Sequence, residues 1–230
     1  MKVSIIIPVY NEEKTIGEII FRVLRLKIPK IKKEIIVVDD GSTDKTKKIL
    51  EGFKRKKSEI KIFTHSRNQG KGAAVQNGLK KATGDLILIQ DADLEYSPED
   101  IPKLLKPILR NKAEVVYGSR FTGEHRNLFF WHMLGNKFLN FLVNLLYNTT
   151  LSDMEVGYKL FRREVLEGII LREKRWGFDP EITCKILKKS IKIYEVPISY
   201  TGRDFKEGKK IRWTAGMRIA FVIFKERFLC

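Results

Sequence analysis

Two kinds of block alternate along the first half of the chain. Short runs, near residues 3 to 8, 34 to 39, 60 to 64, 85 to 90 and 114 to 118, are dominated by Val, Ile and Leu. Between them lie longer stretches with a single apolar face, which predict helices near 13 to 27, 43 to 56, 71 to 83 and 98 to 110. A nearly continuous apolar run suits a strand covered on both faces. The alternation therefore predicts an α/β domain, a mostly parallel sheet with helices on both sides. Ser42-Thr43-Asp44 reads as a helix start and Gly84 as a stop.

Beyond about residue 125 the alternation breaks. A helix-like segment runs from Phe130 to Tyr147, a mixed region surrounds Val156 to Phe161, and a strand is expected over Lys192 to Ser199. From Thr201 to Cys230 there are eight Lys or Arg against three acids, and Arg218, Ile219, Phe221, Val222, Ile223, Phe224 and Phe228 form an amphipathic helix with cationic flanks. Such a helix can pack on its own domain, lie on a membrane, or do both.

Three polar clusters fall where predicted strands end: Tyr10-Asn11-Glu12, Asp39-Asp40-Gly41-Ser42 and Asp91-Ala92-Asp93. In open sheets of this kind ligands bind beyond the carboxyl ends of the strands. Asp91 and Asp93 follow the apolar run Leu86-Ile87-Leu88-Ile89 directly. Two anions leaving a buried strand need a cationic partner, and Mg²⁺ or Mn²⁺ shared with substrate phosphates would supply one. The competing reading is a helix cap, since Asp93 and Ser97 precede Pro98-Glu99-Asp100.

Composition narrows the partners. The 230 residues carry 45 Lys plus Arg and 28 Asp plus Glu, a net charge of +17, with a hydrophobic fraction of 43%. That surplus favours an anionic partner: nucleic acid, an acidic membrane or a phosphorylated substrate. Part of it, such as Lys54-Arg55-Lys56-Lys57, reads as solvated helix end. Two cysteines and three histidines fit neither a disulfide framework nor a zinc site, so a reducing cytoplasm is expected. The apolar run from Val3 to Val9 is short, contains Pro8 and enters Asn-Glu-Glu, which does not suit a signal peptide. No window reaches the roughly 20 apolar residues that span a bilayer.

Taken in order, Ile5-Ile6-Ile7-Pro8-Val9-Tyr10-Asn11-Glu12, Val37-Val38-Asp39-Asp40-Gly41-Ser42-Thr43-Asp44, Gly84-Asp85 and Gln90-Asp91-Ala92-Asp93-Leu94 resemble the family 2 inverting glycosyltransferases of GT-A fold. Gly118-Ser119-Arg120, Asp153 to Phe161, Gly177-Phe178-Asp179-Pro180-Glu181 and Glu195-Val196-Pro197-Ile198-Ser199-Tyr200 resemble the dolichol-phosphate mannose synthase branch. The resemblance implies a catalytic domain over residues 1–210, with a nucleotide-sugar half to 120 and an acceptor half from 121, followed by a basic amphipathic helix over 211–230. It also implies sugar transfer from a nucleotide-sugar to a polyprenyl or dolichyl phosphate, with GDP-mannose favoured and UDP-glucose or UDP-N-acetylglucosamine as alternatives. Such an enzyme would work peripherally, on an anionic cytoplasmic membrane face.

The resemblance assigns residues as well. Pro8, Tyr10, Glu12, Val38 and Asp40 match positions that hold base and ribose, with Ala92 beside the diphosphate. Asp91, Asp93 and Glu95 would face the metal; the synthases often carry glutamine where Glu95 stands. Arg120, Arg203, Lys209 and Lys210 are candidates to meet the departing diphosphate, and Asp153 to organise the acceptor or, equally, to cap a turn. Arg126 and His132 are the nearest matches for the acceptor-phosphate arginine, whereas His65 and His125 read as loop bystanders. A phosphate acceptor needs no general base, because its second pKa of about 6 leaves it largely dianionic at neutral pH. A sugar hydroxyl, the alternative acceptor, would require one.

Four rivals fit less well. Asn68-Gln69-Gly70-Lys71-Gly72 lacks the first glycine and the Ser/Thr of a P-loop, and the Rossmann glycines are missing after the first strand. A sugar-phosphate nucleotidyltransferase should carry a glycine-rich Arg/Lys loop at that same point. A nucleic-acid binder would account for the charge but not for three acidic strand ends.

Overall fold

A computed structural model describes residues 1–56, 59–126, 129–203 and 214–229. Seven strands form one sheet: β1 (Lys2–Val9), β2 (Lys32–Asp39), β3 (Ile60–Thr64), β4 (Leu86–Ile89), β5 (Val115–Ser119), β6 (Lys159–Arg162) and β7 (Ile193–Pro197). Their spatial order is β3-β2-β1-β4-β6-β5-β7. All neighbours run parallel except β6, which is antiparallel to both β4 and β5. The helices are α1 (Ile16–Arg25), α2 (Thr46–Lys56), α3 (Lys71–Lys81), α4 (Ile101–Leu109), α5 (Phe130–Tyr147), α6 (Phe178–Lys188) and α7 (Thr214–Phe228).

The strand predictions hold because the central strands are buried on both faces. Ile5, Ile6 and Ile7 of β1, Val37 and Val38 of β2, and Leu86 to Ile89 of β4 are at most 1% exposed. Pro8 sits in β1 beyond its last pairing with β4, Ile6 opposite Ile89, so its missing N–H costs no bond on that side. Helix starts shift where polar groups form turns instead. Asp44 accepts from the Thr46 and Glu13 amides, so α2 begins at Thr46 rather than near 43. A 3₁₀ turn at Pro98–Asp100 precedes α4.

The mixed region resolves into β6, which the local pattern did not reveal as a strand. Its Lys159 is fully buried beneath the Tyr117 ring and paired with Asp179. Beside the main core lies a second cluster, in which Leu139 and Val143 of α5 meet Ile219 and Ile223 of α7 together with Cys184. The outer faces of these two helices are apolar yet exposed: Phe130, Trp131, Phe138, Phe141 and Leu145 on α5, and Phe221, Phe224 and Phe228 on α7. Among the described residues no helix is long and apolar enough to cross a membrane.

Candidate active site

The three acidic strand ends converge. At the end of β1, Asn11 takes a left-handed φ of 52°, and its Oδ1 accepts from the Thr43 amide at 2.8 Å. Asp39 Oδ1 accepts from the Ser42 amide, which closes the turn after β2. Asp40, 2% exposed, binds the segment after β3: its carboxylate accepts from the Gln69 amide at 3.0 Å and the Gly70 amide at 2.7 Å, and lies 2.7 Å from His65 Nδ1. Gly41 permits this approach. Its φ is 73°, and a Cβ there would stand 2.6 Å from the Arg67 carbonyl carbon.

Around Asp91-Ala92-Asp93 each carboxylate has its own cation. Asp91 lies 2.8 Å from Lys71 Nζ at the first residue of α3, and Gly157 packs so close to Asp91 Oδ2 that any side chain would collide. Lys71 also lies 4.0 Å from Asp179. Burial alone would lower the Lys71 pKa, but Asp91 and Asp179 outweigh it and hold the ammonium charged. Asp93 meets Arg203 Nη2 at 2.8 Å; Arg203 Nη1 meets Glu12 at 3.1 Å, and its Nε meets Glu95 at 3.3 Å. The Tyr200 hydroxyl donates to Glu95 as well. Even so, burial and the adjacent Asp91 and Glu95 charges push Asp93 up to about 7.

The helix-cap reading of this segment does not hold for either residue named. Asp93 Oδ1 accepts from the Glu95 amide, a local turn, and the Ser97 hydroxyl donates to Glu99 and caps no helix amide. Among the described residues no three acidic, histidine or cysteine side chains are gathered to hold an ion unaided. The donor set nevertheless suits a hard divalent cation, which characteristically takes one or two carboxylates and completes its shell with phosphate oxygens and water. Asp93 in particular is a hard oxygen donor surrounded by more anions than one guanidinium neutralises.

Where the chain leaves β5 and returns towards β6, Arg120 binds Asp153 through its backbone amide at 3.0 Å and through Nε and Nη2 at 2.7 Å. Asp153 is wholly buried. Glu195 of β7 accepts from the Ser152 and Asp153 amides and so fixes the same loop. The Arg120 guanidinium stacks 5.4 Å from the Tyr200 ring centre, one ring away from the Glu95 cluster. Glu155 has a buried Oε1 without a hydrogen-bond partner, and burial, with Asp179 nearby, raises its carboxyl to about 8. Asp179 is held by Lys159.

The expected donor positions Pro8, Tyr10, Glu12, Val38 and Asp40 thus lie at the ends of β1 and β2, with Asp91, Ala92, Asp93, Glu95 and Arg203 beside them. Lys209 and Lys210 lie outside the described residues. Arg126 and His132 both stand near the start of α5, Arg126 exposed and His132 half-buried. His125 remains exposed. His65 is not a loop bystander: it bridges Asp40 and Asn77, whose Nδ2 lies 2.9 Å from Nε2. Sequence reasoning also missed Lys71. The available signal was the position of Asn68-Gln69-Gly70-Lys71-Gly72 between a strand end and a helix start, on the same sheet edge as Asp91.

A mostly parallel sheet carrying its acidic cluster at the strand ends is the GT-A glycosyltransferase architecture. The fold matches the crystal structure of glucosyl-3-phosphoglycerate synthase from Mycobacterium tuberculosis in complex with Mn²⁺, UDP and glucosyl-3-phosphoglycerate, with a TM-score of 0.76 over 98% of this chain and 80% of that one, at 19% identity. The family model for glycosyl transferase family 2 matches residues 4–170, and the chain belongs to that family. It is 30% identical to an uncharacterised protein of Methanocaldococcus jannaschii, over 98% of this chain and 92% of the relative. It is 33% identical to a dolichol-phosphate mannosyltransferase of Pyrococcus furiosus and 30% identical to an undecaprenyl-phosphate 4-deoxy-4-formamido-L-arabinose transferase of Photorhabdus laumondii. Those alignments cover 91% and 90% of this chain but only 59% and 62% of the two relatives.

Proposed function

We propose that this glycosyltransferase moves a sugar from a nucleotide-sugar to the phosphate of a polyprenol or dolichol, inverting the anomeric carbon. Mannose from GDP-mannose is the favoured donor, with UDP-glucose and UDP-N-acetylglucosamine next. The names of the Pyrococcus furiosus and Photorhabdus laumondii relatives support a polyprenyl-phosphate acceptor. The observation that carries the reading is the state of the acceptor-side acids. Asp153 is doubly paired with Arg120, Asp179 is paired with Lys159, and Glu155, raised to about 8, is mostly protonated at neutral pH. None is a carboxylate free to deprotonate a sugar hydroxyl, whereas a phosphate monoester arrives already ionised.

The chain's own residues divide the remaining work. Pro8, Tyr10, Glu12, Val38 and Asp40 line the ends of β1 and β2, where base and ribose would rest. Asp91 and Asp93, with Glu95, would hold Mg²⁺ or Mn²⁺, which when bound neutralises charge on the departing nucleoside diphosphate. Arg203 can donate to diphosphate oxygens, while Arg120 orders the acceptor loop through Asp153. The exposed aromatic faces of α5 and α7, together with the +17 charge, support peripheral docking on the anionic cytoplasmic face where a lipid acceptor resides. Each Lys or Arg close to such a surface contributes about 1 kcal/mol.

The test is transfer from a panel of GDP- and UDP-sugars to polyprenyl phosphate in anionic vesicles with Mg²⁺ or Mn²⁺. Thermal shifts with the same panel choose the donor, because a bound donor stabilises the fold by RT ln(1 + [L]/Kd). The expected product is a glycosyl phosphopolyprenol. Glycosylation of a saccharide hydroxyl with no transfer to the lipid phosphate would overturn the proposal.

A further inference from the structure

Glu12, Asp93 and Glu95 come from two separate strand ends, yet all three direct carboxylate oxygens at one guanidinium, that of Arg203. The three contacts use its three nitrogens separately: Nη1 for Glu12, Nη2 for Asp93 and Nε for Glu95. The Arg203 amide donates to Glu95 as well, at 3.0 Å, so backbone and side chain close on the cluster together. Asp91, the fourth acid, is served separately by Lys71.

The two cations differ in what they can do without. Lys71 opens α3, and its ammonium is shared between Asp91 and Asp179, so it has an anion to keep if Asp91 turns elsewhere. Arg203 has no such reserve among the contacts described: every carboxylate it meets belongs to the donor cluster. Asp93 gives one oxygen to Arg203 and the other to the Glu95 amide, and Glu95 gives one to Arg203 and the other to the Tyr200 hydroxyl. A divalent cation must therefore compete for oxygens already in use and meets the repulsion of the guanidinium. A diphosphate removes the conflict. Its planar-fork complement is the guanidinium itself, so an incoming diphosphate offers Arg203 new oxygens as the metal takes the old ones.

We propose that Arg203 is an exchangeable counter-ion that keeps the Asp93–Glu95 pair closed to metal until a nucleoside diphosphate arrives, so that ion and donor load together. The inference rests on the donor reading given above. It adds a specific consequence for Arg203: besides any contact with the diphosphate, this residue lowers the affinity of the carboxylates for metal alone. Removing a positive charge from among acids would raise cation affinity, while a residue that only supported the loop would lower it or leave it unchanged.

Mn²⁺ binding to the whole chain can be followed by the electron paramagnetic resonance signal of free Mn²⁺, without nucleotide and with GDP or UDP, after correction for Mn²⁺ held by nucleotide in solution. For the unsubstituted protein the diphosphate is expected to tighten Mn²⁺ binding by about tenfold or more, the factor by which a site only one-tenth open is weakened. Arg203→Gln should tighten Mn²⁺ binding without nucleotide by about the same factor and shrink the gain from nucleotide. Arg203→Lys, which keeps the charge but loses the fork, should fall between them, and it serves alone if Arg203→Gln does not fold. Adding Asp93→Asn to Arg203→Gln should erase the gain. Unchanged or weaker nucleotide-free binding in the arginine variants, or a gain that survives Asp93→Asn, overturns the proposal. If GDP and UDP leave the unsubstituted protein's Mn²⁺ affinity unchanged while Arg203→Gln still gains, the donor reading fails and the blocking role of Arg203 stands.

Discussion

At the carboxyl ends of β1, β2 and β4, charged groups are drawn inward and tied down; on the outer faces of α5 and α7, apolar groups stand in solvent. Both arrangements oppose the ordinary preferences of side chains. The cleft compensates by pairing, since Asp40, Asp91, Asp93, Glu12 and Asp153 all have cations or amides beside them. Among the described residues the helix pair has no such compensation on its outer face, where Trp131 is 77% exposed. The difference separates polar groups whose partners lie within the fold from an exposed apolar surface of the kind that marks an interaction site.

The comparison can be broken in four places. The largest effect is expected for Asp93→Ala, which should lower transfer by about 10³-fold, or ~4 kcal/mol, while leaving the thermal midpoint unchanged or higher because a repelled charge is gone. Transfer retained within tenfold would remove the cleft from the chemistry. Next, Asp153→Ala strands the Arg120 charge in the interior and should cost about 3 kcal/mol in urea unfolding. The paired change Arg120→Met with Asp153→Leu should recover much of that stability but not activity. An equal loss in both proteins would show that packing, not the buried charge, governs this loop.

On the other side of the comparison, Trp131→Ser with Phe138→Ser should weaken sedimentation with anionic vesicles by roughly 30-fold, about 2 kcal/mol of apolar burial. Stability and transfer to a short, water-soluble prenyl phosphate should stay the same; a lower melting point instead would mean the face is part of the fold. The smallest effect concerns pH. Glu155 has its folded pKa raised from 4.5 to about 8, so the folded state binds the extra proton across that window. Its contribution to stability is therefore complete below pH 4.5 and is lost as pH rises through about 8. Glu155→Gln should flatten the decline of unfolding free energy between pH 5 and 8, and an unaltered slope would assign the decline to other groups.

Much of the first half could be read in advance, because a strand buried on both faces must be apolar at nearly every position, as Leu86 to Ile89 is. α5 was equally visible over Phe130 to Tyr147, since its apolar positions are dense at helical spacing. What escaped depended on contacts between distant segments. Lys159 resembles a surface lysine until Asp179 and Tyr117 enclose it, and this concealed β6. Lys71 and His65 lie on segments whose local pattern indicates only turns; their roles appear when the amides of Gln69 and Gly70 bind Asp40 and bring that loop to the strand ends. The acids themselves were legible. Their counter-ions were not: Arg203 and Arg120 stood out only as candidates for a diphosphate, because a cation that pairs inside the fold looks locally like one that faces a ligand or water.

Arg120 and Asp153 also bound a stretch of chain. β5 and β6 are adjacent antiparallel strands, so the segment between them leaves and re-enters the sheet at nearly the same place. There the Arg120–Asp153 pair, with the Ser119 and Ser152 hydroxyls 2.7 Å apart, works as a clasp at the neck of an excursion that contains all of α5. An excursion clasped at its neck can be lengthened, shortened or exchanged without disturbing the register of the strands on either side. The fold thus holds α5 and its flanking loops as a replaceable cassette, and a chimera that swaps residues 121–152 for those of a relative is the natural way to ask what that excursion contributes while leaving the acidic strand ends intact.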